Sequence, residues 1–502
     1  MKSASRLIHT LQTDPTAVLR TILLLVLSFA LSFSTANAQM PIMAKDIEIH
    51  IAPPTSFSIG VPIKGNVIVT STQPGVMVTS HTPNGPAIRI KLTLVAVVGG
   101  ATVATTTVDA GADFTLITTN QAAGNYQVKA IEDVEQSALT ATLVTVDLSP
   151  TPTLTLSTTN FLLNGTVSRD AAPQTAYGTP QWQAGRAEQY PVTYQAGTNK
   201  TLAAGSTFSV APTSAAQKIR IKGETGYFTL PEATCTPANG TVSYFQSNAT
   251  PGLLATIQKY NTLNITWKYF RDSDQTWVTA GTSQNKVYAT LSGSAGLETV
   301  IDIASRNATG QSSPIPVFSG VWGVFAASPL TGTPRADGTP MKYWGPFSTG
   351  LPQNSPVGFT KEDLIKNSDG RCQSWQELML ASLAIQNNTS ARGVIVTGSD
   401  YANPVGVYVA EGILVKSTAL GQGGTNTARY FNNHAIVRSD TKVTGALYDP
   451  SYGKSYEGTT PKNSWETAAL EGVYYKFDPA QAPILNKKSD SPNDEMCNYA
   501  GY

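Results

Sequence analysis

Gly370-Arg371-Cys372-Gln373-Ser374-Trp375 opens the stretch that decides how this chain is read. Trp375, Leu378, Met379, Ser382 and Leu383 follow it at i, i+3, i+4 spacing, which predicts an amphipathic helix from Ser374 to about Ile385 with Cys372 at its start. The run Ala391-Arg392-Gly393-Val394-Ile395-Val396-Thr397-Gly398 then reads as a buried strand. His434, after the Asn432-Asn433 pair, falls on a further strand, and Asp449 closes the next one where Pro450 and Gly453 force a turn. A thiol, an imidazole and a carboxylate therefore follow one another in the order a thiol acyl-transfer site requires. The chain holds only three cysteines, and His434 is the only histidine of its C-terminal half.

The chemistry of such a set is specific. A free thiol has a pKa of about 8.5, so few thiols are ionised at neutral pH. A helix N-terminus, with its unpaired N–H groups, and a neighbouring imidazolium can together lower it to roughly 3.5–7.5. Cys372 is then the nucleophile. His434 holds its proton and returns it to the leaving amine, and Asp449 orients the ring. The backbone N–H of Cys372 is one oxyanion donor, and Trp344 or Gln353 is a candidate for the second. One Cys and one His fall short of a metal ligand set, so no metal and no cofactor is expected.

Upstream of this site the composition is β-rich. Charged residues make up 13 % of the 502, and Gly, Pro, Thr and Val abound. Ile88-Arg89-Ile90-Lys91-Leu92-Thr93-Leu94 and Asn125-Tyr126-Gln127-Val128-Lys129-Ala130 alternate with period two, as do Ile47–Ile51 and Gly65–Val69. They predict an immunoglobulin-like sandwich over residues 39–150, ending in the linker Ser149-Pro150-Thr151-Pro152-Thr153. A second sandwich is expected over 151–255, from Tyr190–Gly197 and Lys218–Gly223, and an α+β unit over 256–502. In the last unit Leu297, Val300, Ile301 and Ala304 predict one helix, and Val317, Val321, Val324 and Phe325 another. The segment from Gly345 to Gly358 reads as a loop, and Thr360 with Asp363 as a helix cap.

The N-terminus reads as a leader. Lys2, Arg6 and Arg20 precede the apolar run Ile22–Leu31, and Ala36-Asn37-Ala38 offers a cleavage site before Gln39, so residues 1–38 are expected to be a signal peptide. The apolar run is shorter than the roughly 20 residues a membrane span needs, which leaves no transmembrane segment after cleavage. Cleavage removes three Lys/Arg and one Asp, taking the net charge from +1 to −1, so no nucleic-acid footprint is expected. The mature chain is expected to be secreted, periplasmic or at the cell surface. Three cysteines in such a compartment suggest one pair, Cys235 with Cys497, and one free thiol, Cys372.

The Cys, His and Asp blocks resemble those of the transglutaminase-like superfamily, a papain-related α+β fold. The resemblance covers Gly370 to Gly453. Gly370–Trp375 is similar to its Cys block, Asn433-His434-Ala435 to its His block and Tyr448-Asp449-Pro450-Ser451 to its Asp block. It implies a Cys372-His434-Asp449 triad acting on amide bonds of a protein or peptide substrate through a Cys acyl-enzyme. Two positions depart from the pattern. Ile436 stands where an aromatic residue is frequent, and Leu447 near where a Trp is common. The alternative is a non-catalytic surface or adhesion protein that keeps the fold as a binding module.

Overall fold

The protein is described by a computed structural model that covers residues 25–27, 44–49, 56–58, 63–71, 87, 89–97, 100–116, 118, 121, 124–132, 144–149, 151–162, 165–197, 202–215, 217–246, 255–271, 275–327, 329–343, 359–403, 406–424, 429–478, 480, 482–489, 491 and 494–501. The fold is mostly β. In the N-terminal portion the alternation read from the sequence becomes a pleated sheet. Ile90, Leu92 and Leu94 of the Arg89–Ala96 strand are buried while Arg89 is exposed. This strand lies antiparallel between Gly124–Glu132 and Thr102–Asp109 in a five-stranded sheet. Its inner face shares one core with Ile47, Ile63, Val69, Phe114 and Leu116 from the smaller sheets. The expected leader lies outside the described residues except for Leu25–Leu27, an edge strand antiparallel to Ala44–Ile49.

A second pair of sheets follows. One has the order Trp182–Gln183, Thr153–Leu162, Ala203–Ala211, Thr241–Gln246. The other has the order Val192–Gln195, Thr276–Thr290, Gln258–Arg271, Ile219–Glu224, Thr229–Cys235. Their facing sides close over Trp267, whose ring meets Phe208 at 5.9 Å and Tyr244 at 5.2 Å, both edge-on.

Here the structure departs from the expected boundary at 255. Gln258–Arg271 and Thr276–Thr290, assigned by sequence to the third unit, are central strands of this sandwich. The reason is that the strands have two covered faces. Leu263, Ile265, Trp267, Val287 and Ala289 lie in the sandwich core, and Tyr288, between the last two, lies in the next one. One strand pair thus serves two cores, and no local pattern marks the change.

The C-terminal portion places helices against an antiparallel sheet. The sheet order is Lys454–Tyr456, Ala446–Asp449, His434–Ser439, Ala391–Gly398, Cys497–Ala500. The expected helices appear as Glu298–Arg306, Pro314–Ala326 and Cys372–Ile385. Thr360 caps Lys361–Asn367 by accepting from the Asp363 N–H at 3.2 Å. The Gly345–Gly358 loop lies outside the described residues. Among the described residues no helix is long and apolar enough to cross a membrane.

All three cysteines are free thiols, which corrects the expected Cys235–Cys497 bridge. Cys235 lies at the fringe of the sandwich core and Cys497 inside the C-terminal core, and a disulfide needs Cα atoms within about 7 Å.

The seam between sandwich and C-terminal portion is polar and buried. Leu297 gives the Glu298–Arg306 helix no side-chain cap. Instead Asp170, from the sandwich segment, accepts from the Thr299 N–H at 3.0 Å and from its hydroxyl at 2.7 Å. Removing that acceptor in Asp170→Ala leaves two donors unpaired, a loss of about 1–3 kcal/mol. Hydrogen–deuterium exchange across Glu298–Arg306 is expected to accelerate about tenfold or more in this variant. Unchanged exchange there would show that the helix does not depend on the sandwich.

Candidate active site

Cys372 is the first residue of its helix, preceded by Arg371 in extended conformation. It is held there by the two residues before it. Asp369–Gly370 pairs in parallel with Lys342–Tyr343, Tyr343 standing opposite Gly370. A Cβ on Gly370 would meet the Leu364 side chain at 2.9 Å, so only glycine lets the chain pass this close beneath the preceding helix. The first intrahelical bond runs from Trp375 N–H to Arg371 O at 3.2 Å, so the N–H of Cys372 points away from the helix's own acceptors.

One turn along the helix Gln376 is buried. Its amide donates to the carbonyls of Val394 at 3.0 Å and Ile436 at 2.5 Å. These lie on the Ala391–Gly398 and His434–Ser439 strands, so one side chain fixes the nucleophile helix to the strand that starts at His434. A Cβ on Gly393 would strike the Gln376 amide at 2.9 Å.

His434 and Asp449 come from adjacent strands, and both are fully buried. His434 Nε2 lies 2.7 Å from Asp449 Oδ2, which leaves Nδ1 on the side of Cys372. Nδ1 is buried without a hydrogen-bond partner, and Cys372 is near enough for its charge to bear on the ring. The carboxylate has two further donors. The Ser451 N–H gives to Oδ1 at 3.2 Å, and Trp465 Nε1 to Oδ2 at 3.4 Å. The imidazole is wedged between rings: Trp465 stacks on it at 5.9 Å, with Tyr452 at 5.5 Å and Phe431 at 5.9 Å.

The electrostatics follow from that geometry. Burial alone pushes the Cys372 thiol up. The hydrogen bond and charge of His434 and the N–H of Ala435 on the sulfur outweigh it, and the thiol sits below its ordinary value. Burial opposes charge on His434 as well. The Asp449 carboxylate and the Cys372 sulfur overcome it and push the imidazole up to about 10. A thiolate–imidazolium pair is the state these neighbours favour. Cys235 and Cys497 are pushed up by burial and remain thiols.

The structure thus brings Cys372, His434 and Asp449 into one row. Of the proposed second oxyanion donors, Trp344 and Gln353 lie outside the described residues. Sequence reasoning missed Tyr343, Gln376, Tyr452 and Trp465. Gln376 carried a signal, since its i+4 spacing puts it on the face of Cys372. Tyr343 is placed by strand pairing, Tyr452 by a turn and Trp465 by the Pro461–Ala469 helix. Among the described residues no group of three His, Cys, Asp or Glu side chains forms a metal site.

No family model matches the chain, and no curated protein matches it. Among solved structures it is similar to the BSP domain of a biofilm-associated protein, with 9 % identity and a TM-score of 0.14 over 47 % of this chain and 28 % of that one. It is also similar to fibronectin(III)-like modules of Clostridium thermocellum CbhA, with 13 % identity and a TM-score of 0.21 over 48 % and 89 %. For the transglutaminase of red sea bream the values are 12 % and 0.14 over 46 % and 30 %. The chain therefore spans less than a third of the first and the third of these. Likenesses at such scores carry no argument, and the fold and the site rest on the strand pairing and contacts described above.

The ion pair makes a measurable statement. The pH profile of Cys372 alkylation by iodoacetamide, read by mass, is expected to have its midpoint below the ordinary thiol value of about 8.5. In His434→Ala only the Ala435 N–H still opposes burial, and the midpoint is expected to move above that value, with the rate at pH 6 at least about tenfold lower. A midpoint that does not respond to His434 would mean the pair is not formed.

Proposed function

We propose that the protein is an exported thiol enzyme with a transglutaminase-like, papain-related C-terminal domain, acting on amide bonds of a protein or peptide through a Cys372 acyl-enzyme. The observation that carries this reading is the buried row itself: a thiol lowered by an imidazole whose far nitrogen lies 2.7 Å from a carboxylate. The Cys372 thiolate attacks the amide carbonyl, and the C–S bond forms as the carbonyl π pair moves to oxygen. The tetrahedral adduct collapses by breaking the C–N bond, with the His434 proton passing to the leaving amine. The neutral imidazole then accepts a proton from the incoming nucleophile. Water gives hydrolysis, the first choice, and a primary amine gives transfer from the same thioester.

The fold order supports the resemblance implied by the sequence: a nucleophile at a helix start, then the His and Asp on neighbouring antiparallel strands. The export proposal rests on the sequence of residues 1–38, and mature protein is expected to begin at Gln39 when its N-terminus is sequenced.

A second reading draws on one observation. Cys372 is 9 % exposed, and His434 and Asp449 are 0 % exposed, so this site is closed. A binding module that keeps the fold without turnover would look the same at rest.

Incubation of the protein with a peptide library plus a primary amine separates the two. Products carrying a new carboxyl or the added amine are expected, with a Cys372 thioester trapped on acid quench. Cys372→Ala is expected to lower turnover at least about a thousandfold. Absence of any product and of the thioester would leave the binding module standing.

A further inference from the structure

One buried side chain reaches the acid of the row from behind. Gln422 has no solvent exposure and sits in the glycine-rich turn at 421–424. Its amide donates to Phe325 O at 2.9 Å and to Pro450 O at 3.0 Å, and its oxygen accepts from the Thr333 N–H at 3.1 Å. Its backbone N–H donates to Ser451 O at 2.8 Å. One residue therefore holds both carbonyls of the turn that follows Asp449.

The Pro450-Ser451 peptide is the link to the acid. Its carbonyl accepts from Gln422, and its N–H donates to Asp449 Oδ1 at 3.2 Å. A trans peptide is rigid and points these two groups in opposite directions, so the amide that fixes one end aims the other. The bonds run in series from the Gln422 amide through this peptide to the Asp449 carboxylate and the His434 ring. The amide is also anchored on Phe325, in the last turn of Pro314–Ala326, and the Phe325 ring meets Trp375 of the nucleophile helix edge-on at 6.4 Å. The seat is built for it. At Gly453, φ +61°, a Cβ would fall 2.8 Å from Phe325 O and 3.5 Å from Gln422 Nε2, where the amide passes. A Cβ on Gly421 would strike the Tyr343 ring.

Resting on the acyl-enzyme reading above, we infer that Gln422 is a positioning residue for the reaction at Cys372, acting through the Pro450-Ser451 peptide to fix the Asp449 carboxylate and with it the His434 ring. A hydrocarbon side chain of the same length would fill the same space. It would leave Pro450 O without this donor, and the peptide could then tilt the Ser451 N–H away from the carboxylate. Bonds in such a series polarise one another, so loss at Pro450 also weakens the donor at Ser451. A carboxylate that turns from His434 Nε2 supports the imidazolium less, and the sulfur loses part of its activation.

A double-mutant cycle separates this role from general support of the fold. Gln422→Met keeps the length and removes both amide donors. Alkylation of Cys372 by iodoacetamide at pH 6, read by mass, is expected to slow about fivefold in this variant. In the His434→Ala background no imidazole remains for Asp449 to orient, and the same change is expected to alter the rate by less than about twofold. Equal fold-losses in both backgrounds would overturn the inference, since Gln422 would then govern access to the sulfur rather than the His434–Asp449 pair. An unchanged rate in the folded single variant would overturn it as well. Where Gln422→Met does not fold, or the parent sulfur is not alkylated, the coupling is read from its other end by hydrogen–deuterium exchange. Asp449→Ala takes the acceptor from the Ser451 N–H, and exchange of the Gln422 N–H is expected to rise about tenfold beyond any change in the Ala391–Gly398 strand. Exchange that rises no more than in that strand would overturn the inference. Alkylation forms no acyl-enzyme, so the proposed function, decided by the products from amide substrates, can fail separately.

Discussion

An imidazole and a carboxylate without solvent exposure stand 2.7 Å apart in this protein, and much of the C-terminal fold is arranged around that contact. Taking either charge out of water is unfavourable by several kcal/mol, and breaking such a pair by deleting one partner costs about 3–5 kcal/mol. The pair persists because its remaining valences are met. Ser451 and Trp465 donate to the carboxylate, and the Cys372 sulfur accepts the charge of the ring from the other side. The Pro461–Ala469 helix that supplies Trp465 is itself anchored. Glu466, the next residue, is fully buried and accepts from the N–H groups of Met496 and Cys497, pinning the Cys497–Ala500 strand to the far side of the same sheet. Two consecutive residues thus serve the triad and the strand that closes its sheet.

The second sandwich is more than a spacer in this arrangement. The strand pair Gln258–Arg271 and Thr276–Thr290 carries Lys259, Lys286 and Tyr288 to the Glu298–Arg306 helix. There Asp302 meets Lys259 at 2.7 Å, Tyr288 at 3.0 Å and Arg306 at 2.6 Å. Glu298 meets Lys286 at 2.5 Å and Tyr177 at 2.6 Å. These groups are largely shielded, so screening by salt is weak, and the contacts fix geometry as well as stability. The helix they hold belongs to the same core as the nucleophile helix. Orientation of Cys372 is therefore coupled, through two packed helices, to strands whose opposite faces fill the sandwich.

What the sequence made legible was local. The helix after Cys372 announces itself by spacing, the Arg89–Ala96 strand by alternation, and the Thr360 cap by its oxygen beside a free N–H. The chain order of Cys372, His434 and Asp449 was visible because each sits at the end of an element that its neighbours define. The seam at 258–290 was hidden, since both strands mix apolar and polar residues as any sandwich strand does and carry no composition break. Tyr343 was hidden for a different reason. Its place against Tyr452 depends on a two-residue parallel pairing and on a glycine turn from 421 to 424, and nothing in the local pattern around Tyr343 reports either. The Cys235–Cys497 pairing failed because counting thiols says nothing of which core each one joins.

The closed state of the site bears on how it would work. A thiolate shielded from water keeps its full electrostatic attraction to the imidazolium, and that attraction offsets the burial that disfavours both charges. Tyr452 packs on the His434 ring and belongs to the turn after Asp449, which Gln422 tethers through the Pro450 carbonyl. The wall of the imidazole and the carboxylate that orients it are therefore held by the same turn, so a change at Gln422 is felt by both.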